Sequence, residues 1–381
     1  MKIALVSPYD FSFPSGVGRH ITNLEKHFSR MGHEVKIIAP ASKPISEYGN
    51  RFIRIGKPVP IPASGSIMRI SISLHLAPTI KEVLGREKFD LIHLHEPFMP
   101  MLCSAILRFS NTVNVGTFHA AQGRPGYNWG RPISSWMLEY RRRHLHGHIA
   151  VSIPAMRYAQ SFVPAEYEII PNGVDTHFFH PDVKPLEQYS DGKLNIVFLS
   201  RLEFRKGANY LLKAFLEIKR QMPNTRLLIC GSGTRLRKRY EKWVARNKLE
   251  DVIFTGMVPE QDIPRYYRTA DIFCLPATGQ ESFGLILIEA MATGRPIAAT
   301  NIPGYASVVT HGEEGLLVPP RTVKPLADAL LTLLNDKHRR EQMGQKAIIT
   351  ARKYEWEGIA KRVMDYYMKT IDVVRRQDVV Q

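Results

Sequence analysis

Cysteine is almost missing from this chain. Only Cys103, Cys230 and Cys274 occur in 381 residues, odd in number, widely spaced and set among apolar neighbours. They read as small reduced hydrophobes, which sets aside a disulfide scaffold and a cysteine-based metal site. Acidic residues are also short: 35 Asp and Glu face 52 Lys and Arg, a formal charge of +17. Such an excess implies anionic partners, whether nucleic acid, lipid headgroups or phosphorylated substrates. No zinc-finger spacing, RNA-binding aromatic signature or basic zipper accompanies it, so nucleic acid is the weakest of the three. No run reaches the ~18 apolar residues that span a bilayer. The apolar part of MKIALVSPYDF is too short for a secretory signal. Asp-x-Asp never occurs, which disfavours a diphosphate held through a divalent ion on paired aspartates. Internal repeats and low-complexity tracts are lacking too.

What is present alternates. The length predicts two domains. Short apolar runs at 2–7, 35–39, 90–95, 113–118 and 149–152 read as strands, and Val17, Ile21, Leu24, Phe28 and Met31 recur at helical spacing between the first two. Residues 171–192, rich in Pro, Asp and His, read as an interdomain linker. A second series follows, with strands at 195–199, 226–230, 252–255, 272–275 and 297–300. Trp356, Ile359, Val363, Tyr366 and Tyr367 then repeat at helical spacing. The expected class is α/β, two Rossmann-like parallel sheets facing a central cleft. Ligands in such sheets bind outside the carboxyl ends of the strands, so the loops after strands carry the chemistry.

Four of those loops stand out. GQESFGLILIEAMATGRPI places Glu281 in a polar turn and Glu289 eight positions on, in the helix that follows. A helix N-terminus offers free amides and a positive dipole end, suited to phosphate or polyhydroxyl ligands. Glu281 is placed to accept from hydroxyls, or is an ordinary first-turn acid; Glu289 is a ligand group or a buried structural acceptor. Arg201 and Lys206 flank the loop after strand 195–199, with Gly207 opening the next helix, a cradle for a diphosphate or a solvated basic turn. Gly231, in Gly231-Ser232-Gly233, lets backbone approach a nucleotide or simply makes a tight turn. FTGMV at 254–258, ending in Val258, is a further strand end able to meet a nucleobase. In the first half, Gly16 opens a helix in SGVG, and His119 closes the strand VGTFH. His93 and His95 alternate along LIHLHEP near Glu96, but without cysteine partners or a downstream ligand pair no metal site is expected.

Together these pieces resemble the retaining nucleotide-sugar glycosyltransferases of GT-B fold, family four. SGVG at 15–18, TFH at 117–119, PNGVD at 171–175, SRLEFRKG at 200–207, ICGSGT at 229–234, FTGMV at 254–258 and ESFGLILIEAMATGRPI at 281–297 run in family order over nearly the whole chain. VPIPASGSIMR at 59–69 and LIHLHEPFMPML at 91–102 are similar to acceptor-side segments of bacterial phosphatidylinositol mannosyltransferases. The resemblance implies an acceptor-binding domain over 1–170, a nucleotide-sugar-binding domain over 193–354 and a final helix, 355–381, returning to the first. It implies a hexose moved from GDP-mannose or UDP-glucose to a lipid such as phosphatidylinositol, with no tightly bound cofactor and no required metal.

Residue by residue, the same resemblance implies that Arg201 and Lys206 neutralise the leaving diphosphate. Glu281 holds sugar hydroxyls with the amides of Phe283, Gly284 and Leu285, Glu289 binds the ribose, and Gly231 and Val258 line the nucleotide. Gly16 lies against the donor phosphates and His119 bonds the sugar near the reacting carbon. Ser66, Arg69 and Arg124 grip the acceptor's phosphorylated polyol. Leaving phosphate takes the acceptor proton in front-face attack, so no side-chain base is named. Two departures bear on the acceptor: Ser15 replaces the usual first glycine, and Ser64 stands where the mannosyltransferases have an amide side chain.

Charge and pattern further suggest a cytoplasmic protein held peripherally on the inner face of the membrane. Leu76, Ile80, Val83 and Leu84, ringed by Lys81, Arg86 and Lys88, form one candidate contact; Trp136, Met137 and Arg141–Arg143 form another. RLRKRYEKWVARNK at 235–248 reads as a solvated basic helix. Rival readings are a transferase with a soluble sugar-phosphate or polyol acceptor, a nucleotide-sugar epimerase, and a nucleic-acid-binding protein, whose affinity would fall steeply with salt.

Overall fold

In the computed structural model, residues 1–63, 66–71, 73, 75–121 and 142–380 are described. The chain divides into two compact units, Met1–Asn172 with Trp356–Gln381, and Gly173–Glu355.

Unit 1 is built on a seven-stranded parallel sheet. Its strands are β1 (Lys2–Val6), β2 (Glu34–Ala39), β3 (Phe52–Arg54), β6 (Leu91–His95), β7 (Val113–Phe118), β8 (Gly147–Ala150) and β9 (Glu168–Ile169), in spatial order β3-β2-β1-β6-β7-β8-β9. Alternate residues of a strand face opposite ways, and β1 shows it: Ile3 and Leu5 enter one core, Ala4 and Val6 the other. On the first face lie α1 (Gly16–Arg30) and the long C-terminal helix Trp356–Val380; on the second lie α2 (Ala77–Glu87) and α3 (Leu102–Phe109). α1 starts where Ser15 Oγ accepts from the Gly18 amide at 2.9 Å, an N-cap worth about 1 kcal/mol. Its Ile21, Leu24 and Phe28 are fully buried, as the helical spacing predicts. α4 (Ile153–Gln160) follows β8, capped by Ser152.

The apolar face of α2 is spoken for. Leu76, Ile80 and Val83 are buried in the second core of unit 1, so this segment offers no free apolar face to a membrane. Of the other candidate contact, Trp136, Met137 and Arg141 lie outside the described residues, and Arg142 and Arg143 lie within them.

A separate antiparallel ribbon, β4 (Pro58–Ala63) with β5 (Ser66–Ser71), was not read from the sequence as strands. Pro58, Pro60 and Pro62 alternate along β4 and suppress the usual strand signal. β4 pairs with β5 alone, so same-side prolines cost no ladder bonds if their ring nitrogens face the unpaired edge.

Unit 2 carries a six-stranded parallel sheet ordered β12-β11-β10-β13-β14-β15. The strands are β10 (Leu194–Leu199), β11 (Thr225–Cys230), β12 (Val252–Gly256), β13 (Ile272–Leu275), β14 (Ile297–Thr300) and β15 (Gly315–Val318). The helices between and after them are α5 (Ala208–Gln221), α6 (Thr234–Arg246), α7 (Ile263–Thr269), α8 (Leu285–Ala292), α9 (Pro303–Ala306), α10 (Lys324–Asn335) and α11 (Lys337–Arg352). α12 is the helix Trp356–Val380 of unit 1. Residues from Gly173 onward belong to unit 2, where Val174 and Phe179 enter the core. Strand order reverses direction at β10/β13, as in doubly wound sheets, which puts the functional crevice of this unit at the ends of those two strands.

Candidate functional site

The loops at the carboxyl edge of the second sheet are tied to one another by backbone. The Ser200 amide donates to Cys230 O at 2.9 Å, Leu202 to Ser232 O at 2.8 Å, Gly231 to Gly256 O at 2.7 Å and Thr278 to Arg205 O at 2.7 Å. Glycines make this closeness possible. A Cβ on Gly231 would lie 1.8 Å from Ser200 O, and one on Gly207 (φ +76°) would lie 1.8 Å from Pro276 O. Loops following β10, β11, β12 and β13 therefore form one connected rim.

Charge is concentrated on that rim. Lys206 is buried, and its Nζ lies 2.7 Å from Glu281 Oε1. The same oxygen accepts from Arg205 Nη1. Arg205 Nε donates to Glu203 Oε2 at 2.8 Å, and Arg201 Nη2 lies 3.2 Å from Glu203 Oε1. Burial pushes the Lys206 ammonium pKa down, and the Glu281 carboxylate opposes that shift. Arg201 is the outer member, its side chain 57% exposed. Three cations and two carboxylates thus form one network, from which a sequence reading picks out Arg201, Lys206 and Glu281. It misses Arg205 and Glu203, although both stand in the quoted motif SRLEFRKG.

Glu281 opens a non-helical turn, with Gln280 at φ +63° before it and Gly284 capping α8 after it. α9 presses on that turn so closely that a Cβ on Gly304 would meet Glu281 O at 2.1 Å. Phe283 is buried, while Leu285 is half-buried at the helix start. Because α8 begins at Leu285, Glu289 lies one turn into the helix. It is buried, and its Oε2 accepts from the Tyr267 hydroxyl at 2.7 Å. Nothing in the spacing of the motif pointed to Tyr267, which comes from α7. Val258 is half-buried just beyond β12.

Unit 1 has its own cluster, at the ends of β6 and β7. His119 follows Phe118 directly and is half-buried. The backbone there is fixed by Glu96, whose Oε1 accepts from the His119 and Ala120 amides, each at 2.8 Å. His119 Nε2 lies 3.0 Å from His95 Nδ1. His93 and His95 are adjacent, with ring centroids 4.2 Å apart, and His93 bridges Tyr367 OH (2.5 Å) and Thr117 Oγ1 (2.6 Å). His20, from α1, joins them: its Nδ1 is 2.9 Å from Asn172 Oδ1, and its ring meets those of His95, His119 and Trp356 edge-on. Burial lowers the pKa of His20 to about 4 and holds His93, His95 and His119 well below the usual imidazole value, with the neighbouring histidines adding to it. All four rings are neutral at pH 7. His20, His95 and His119 each bring a ring nitrogen within 4.8 Å of the others, and among the described residues this is the one group with the spacing to take a metal ion. The sequence reading expected no metal here and did not place His20 in the cluster.

The other expected residues of unit 1 that are described lie on α1 and β5. Gly16 is exposed at the first position of α1. Arg69 lies on β5 with its guanidinium 4.0 Å from the centroid of the Phe13 ring, and its carbonyl accepts from the Asp10 amide. Ser66 begins β5, opposite Ala63. Arg124 lies outside the described residues.

Comparison with known proteins agrees with this architecture. Residues 14–178 match the family described as Glycosyltransferase Family 4, and residues 184–350 match Glycosyl transferases group 1. The chain is 32% identical over 370 residues to the phosphatidyl-myo-inositol mannosyltransferase of Mycobacterium leprae, covering 96% of each protein. It is 31% identical to the protein of that name from Mycolicibacterium smegmatis, over 96% of this chain and 93% of the other. A glycosyltransferase from Rickettsia africae has the same fold, with a TM-score of 0.79 at 19% identity over 97% of this chain and 98% of that one. The sucrose-phosphate synthase of Thermosynechococcus elongatus superposes with a TM-score of 0.75 at 22% identity, over 98% and 99%. With its two parallel-sheet units, its strand-end motifs and relatives alike over almost their full length, the chain belongs to the family 4 (group 1) glycosyltransferases of GT-B fold.

Proposed function

We propose that this protein moves a hexose, with retention of configuration, from a nucleoside-diphosphate sugar to a lipid acceptor of the phosphatidylinositol type. The observation that carries the reading is the buried Lys206 on the rim of unit 2, with Arg205 and Arg201 beside it. A departing diphosphate needs fixed positive charge in a site of low dielectric, and this network supplies it without a divalent ion. Residues 193–354 are the nucleotide-sugar-binding domain and 1–170 the acceptor-binding domain, with 171–192 between them and 355–381 returning to the first. Arg201 and Lys206 meet the leaving diphosphate, and Glu281 with the amides of Phe283, Gly284 and Leu285 holds the sugar hydroxyls. Glu289 takes the ribose, and Gly231 and Val258 line the nucleotide. Gly16 approaches the donor phosphates, His119 contacts the sugar beside the reacting carbon, and Ser66, Arg69 and Arg124 hold the acceptor's phosphorylated polyol.

In the step itself the bond from the anomeric carbon to the diphosphate oxygen breaks. A bond to the acceptor oxygen forms on the same face, and the acceptor's hydroxyl proton passes to the leaving phosphate. The relatives are phosphatidyl-myo-inositol mannosyltransferases by name, which supports GDP-mannose and phosphatidylinositol as the first pair to try.

An anionic leaflet on the inner face of the membrane is the proposed partner surface. No helix among the described residues is long and apolar enough to cross a membrane. Support for surface attachment comes from a groove of about 630 Å³ along α5 and α6, lined by Lys213, Arg235, Lys238, Arg239, Lys242 and Arg246 with no carboxylate among its lining residues. A few such cations near an anionic surface contribute ~1 kcal/mol each.

A transfer assay decides. Radiolabelled GDP-mannose or UDP-glucose is offered with phosphatidylinositol, with a soluble inositol phosphate, or alone, in the presence and absence of chelator. Chelator-insensitive label in the lipid phase with one donor is the expected result. Transfer to the soluble polyol, or donor epimerised with no acceptor, would replace this reading.

A further inference from the structure

We propose that His95 is a positioning residue that fixes the proton of His119 on Nδ1, so that His119 presents an N–H donor to a substrate oxygen. This rests on the reading of His119 as a sugar contact, and it names the atom that makes the contact.

The tautomers follow from counting partners. His95 is fully buried and has two ring nitrogens. Nδ1 lies 3.0 Å from His119 Nε2, while Nε2 is sealed from solvent with no hydrogen-bond partner among the described residues. A neutral His95 protonated on Nε2 would bury an unpaired N–H, the rarer and costlier kind of orphan. Protonated on Nδ1, it donates to His119 Nε2 and leaves only a bare lone pair. His20, whose Nδ1 donates to Asn172 Oδ1, keeps a bare acceptor on Nε2, but no hydrogen bond joins it to His95 Nε2, so it does not rescue the first arrangement. Nor does His93, whose two nitrogens are engaged by Tyr367 and Thr117. With Nε2 accepting, a neutral His119 must hold its proton on Nδ1.

His119 as a whole is half-buried, so part of its surface is open to a ligand. Glu96 holds the backbone at this point through the His119 and Ala120 amides. Main chain and ring are thus fixed by different residues: Glu96 sets where His119 starts, and His95 sets which face of the ring carries hydrogen. The donor on His95 Nδ1 also explains why an imidazole rather than a carboxylate occupies this place, since an ionised carboxylate could not donate to His119 Nε2.

The test uses the full chain labelled with ¹⁵N-histidine, wild type and the variants His95→Ala, His95→Asn and His119→Ala. Wild-type His119 is expected to show protonated Nδ1 by side-chain ¹⁵N shifts at neutral pH. His95→Ala is expected to lose that signature and to lower kcat about tenfold, as for a catalytic contact left free to turn, while GDP binding is unchanged. His95→Asn, whose Nδ2 hydrogens stand in for Nδ1–H, is expected to recover most of the rate. The inference is overturned if wild-type His119 is protonated on Nε2, or if His95→Ala transfers sugar at the wild-type rate while His119→Ala is slow. A His119→Ala enzyme as fast as wild type would remove the sugar-contact reading itself. A tautomer or rate that changes on dialysis against a chelator would also overturn it, because a metal would then hold the histidines. The wild-type spectrum alone decides should a variant not fold.

Discussion

Lys206 and Glu281 are each other's counter-ions, Nζ to Oε1 at 2.7 Å, although one precedes α5 and the other precedes α8. Lys206 is buried and Glu281 nearly so, hence the pair sits where charge is only weakly screened. Replacing Lys206 with Ala leaves Arg205 on Glu281, so the fold survives. Sugar transfer is expected to drop by about a hundredfold or more, the usual cost of one preorganised electrostatic partner. Steady-state kinetics beside a thermal scan check this; a variant that transfers normally rules out Lys206 as the cation for the leaving group.

The histidine cluster makes stability depend on pH in a definite direction. His20 is neutral in the fold, with a pKa lowered by burial to about 4 against 6.5 when unfolded. Between those values the unfolded chain binds the extra proton, so stability is fully present above the unfolded value and is lost as pH falls toward the folded one. His20 alone accounts for roughly 3 kcal/mol across that window, and His93, His95 and His119 shift the same way. Thermal unfolding at descending pH is expected to show Tm falling steeply below about 6.5. A Tm that stays level down to about pH 5 would contradict this.

How much of this was legible beforehand differs between elements. β7 and β13 read directly, as the apolar runs 113–118 and 272–275. β4 did not, because its alternate prolines carry the opposite propensity. β9, at two residues, is too short to rise above the turns around it. In the site, the motifs were found, and the pairings that folding makes between them were not. Arg205 reaches Glu281 from 76 positions away, Tyr367 reaches His93 from 274, and Asn172 reaches His20 from 152. Periodicity and spacing describe neighbours along the chain; these pairs exist only once parallel strands have stacked their ends.

Glycine at 231 is expected to be irreplaceable. Its φ is +150°, and an alanine methyl there would stand 1.8 Å from the Ser200 carbonyl oxygen, so both obstacles are backbone. Gly231→Ala should cost more than about 2 kcal/mol and abolish stabilisation by nucleotide. Gly32→Ala is the contrast: φ is +84° but nothing lies within 4 Å, so the expected cost is only about 1 kcal/mol. Denaturant melts of the two variants check the difference, and equal costs would show that the loop gives way.

Tyr267→Phe removes the hydroxyl that donates to Glu289 Oε2 inside unit 2. The expected loss is about 1–3 kcal/mol, as for a buried hydrogen bond to a charged group. If Glu289 takes the ribose, the donor KM rises while kcat changes less, since ribose contacts act in ground and transition states alike. A stability loss with unaltered KM would assign Glu289 to structure alone.

The place of α12 orders how the chain can fold. Its 25 residues follow unit 2 along the chain, and Trp356, Ile359, Val363 and Tyr367 fill the core against β1, β6 and β7. In the chain, unit 2 is therefore inserted into unit 1, and can close while its host still lacks α12. A fragment ending at Asn172 has α1 but not α12 on that side of its sheet, and splicing residues 356–381 back onto it supplies the rest of the wall.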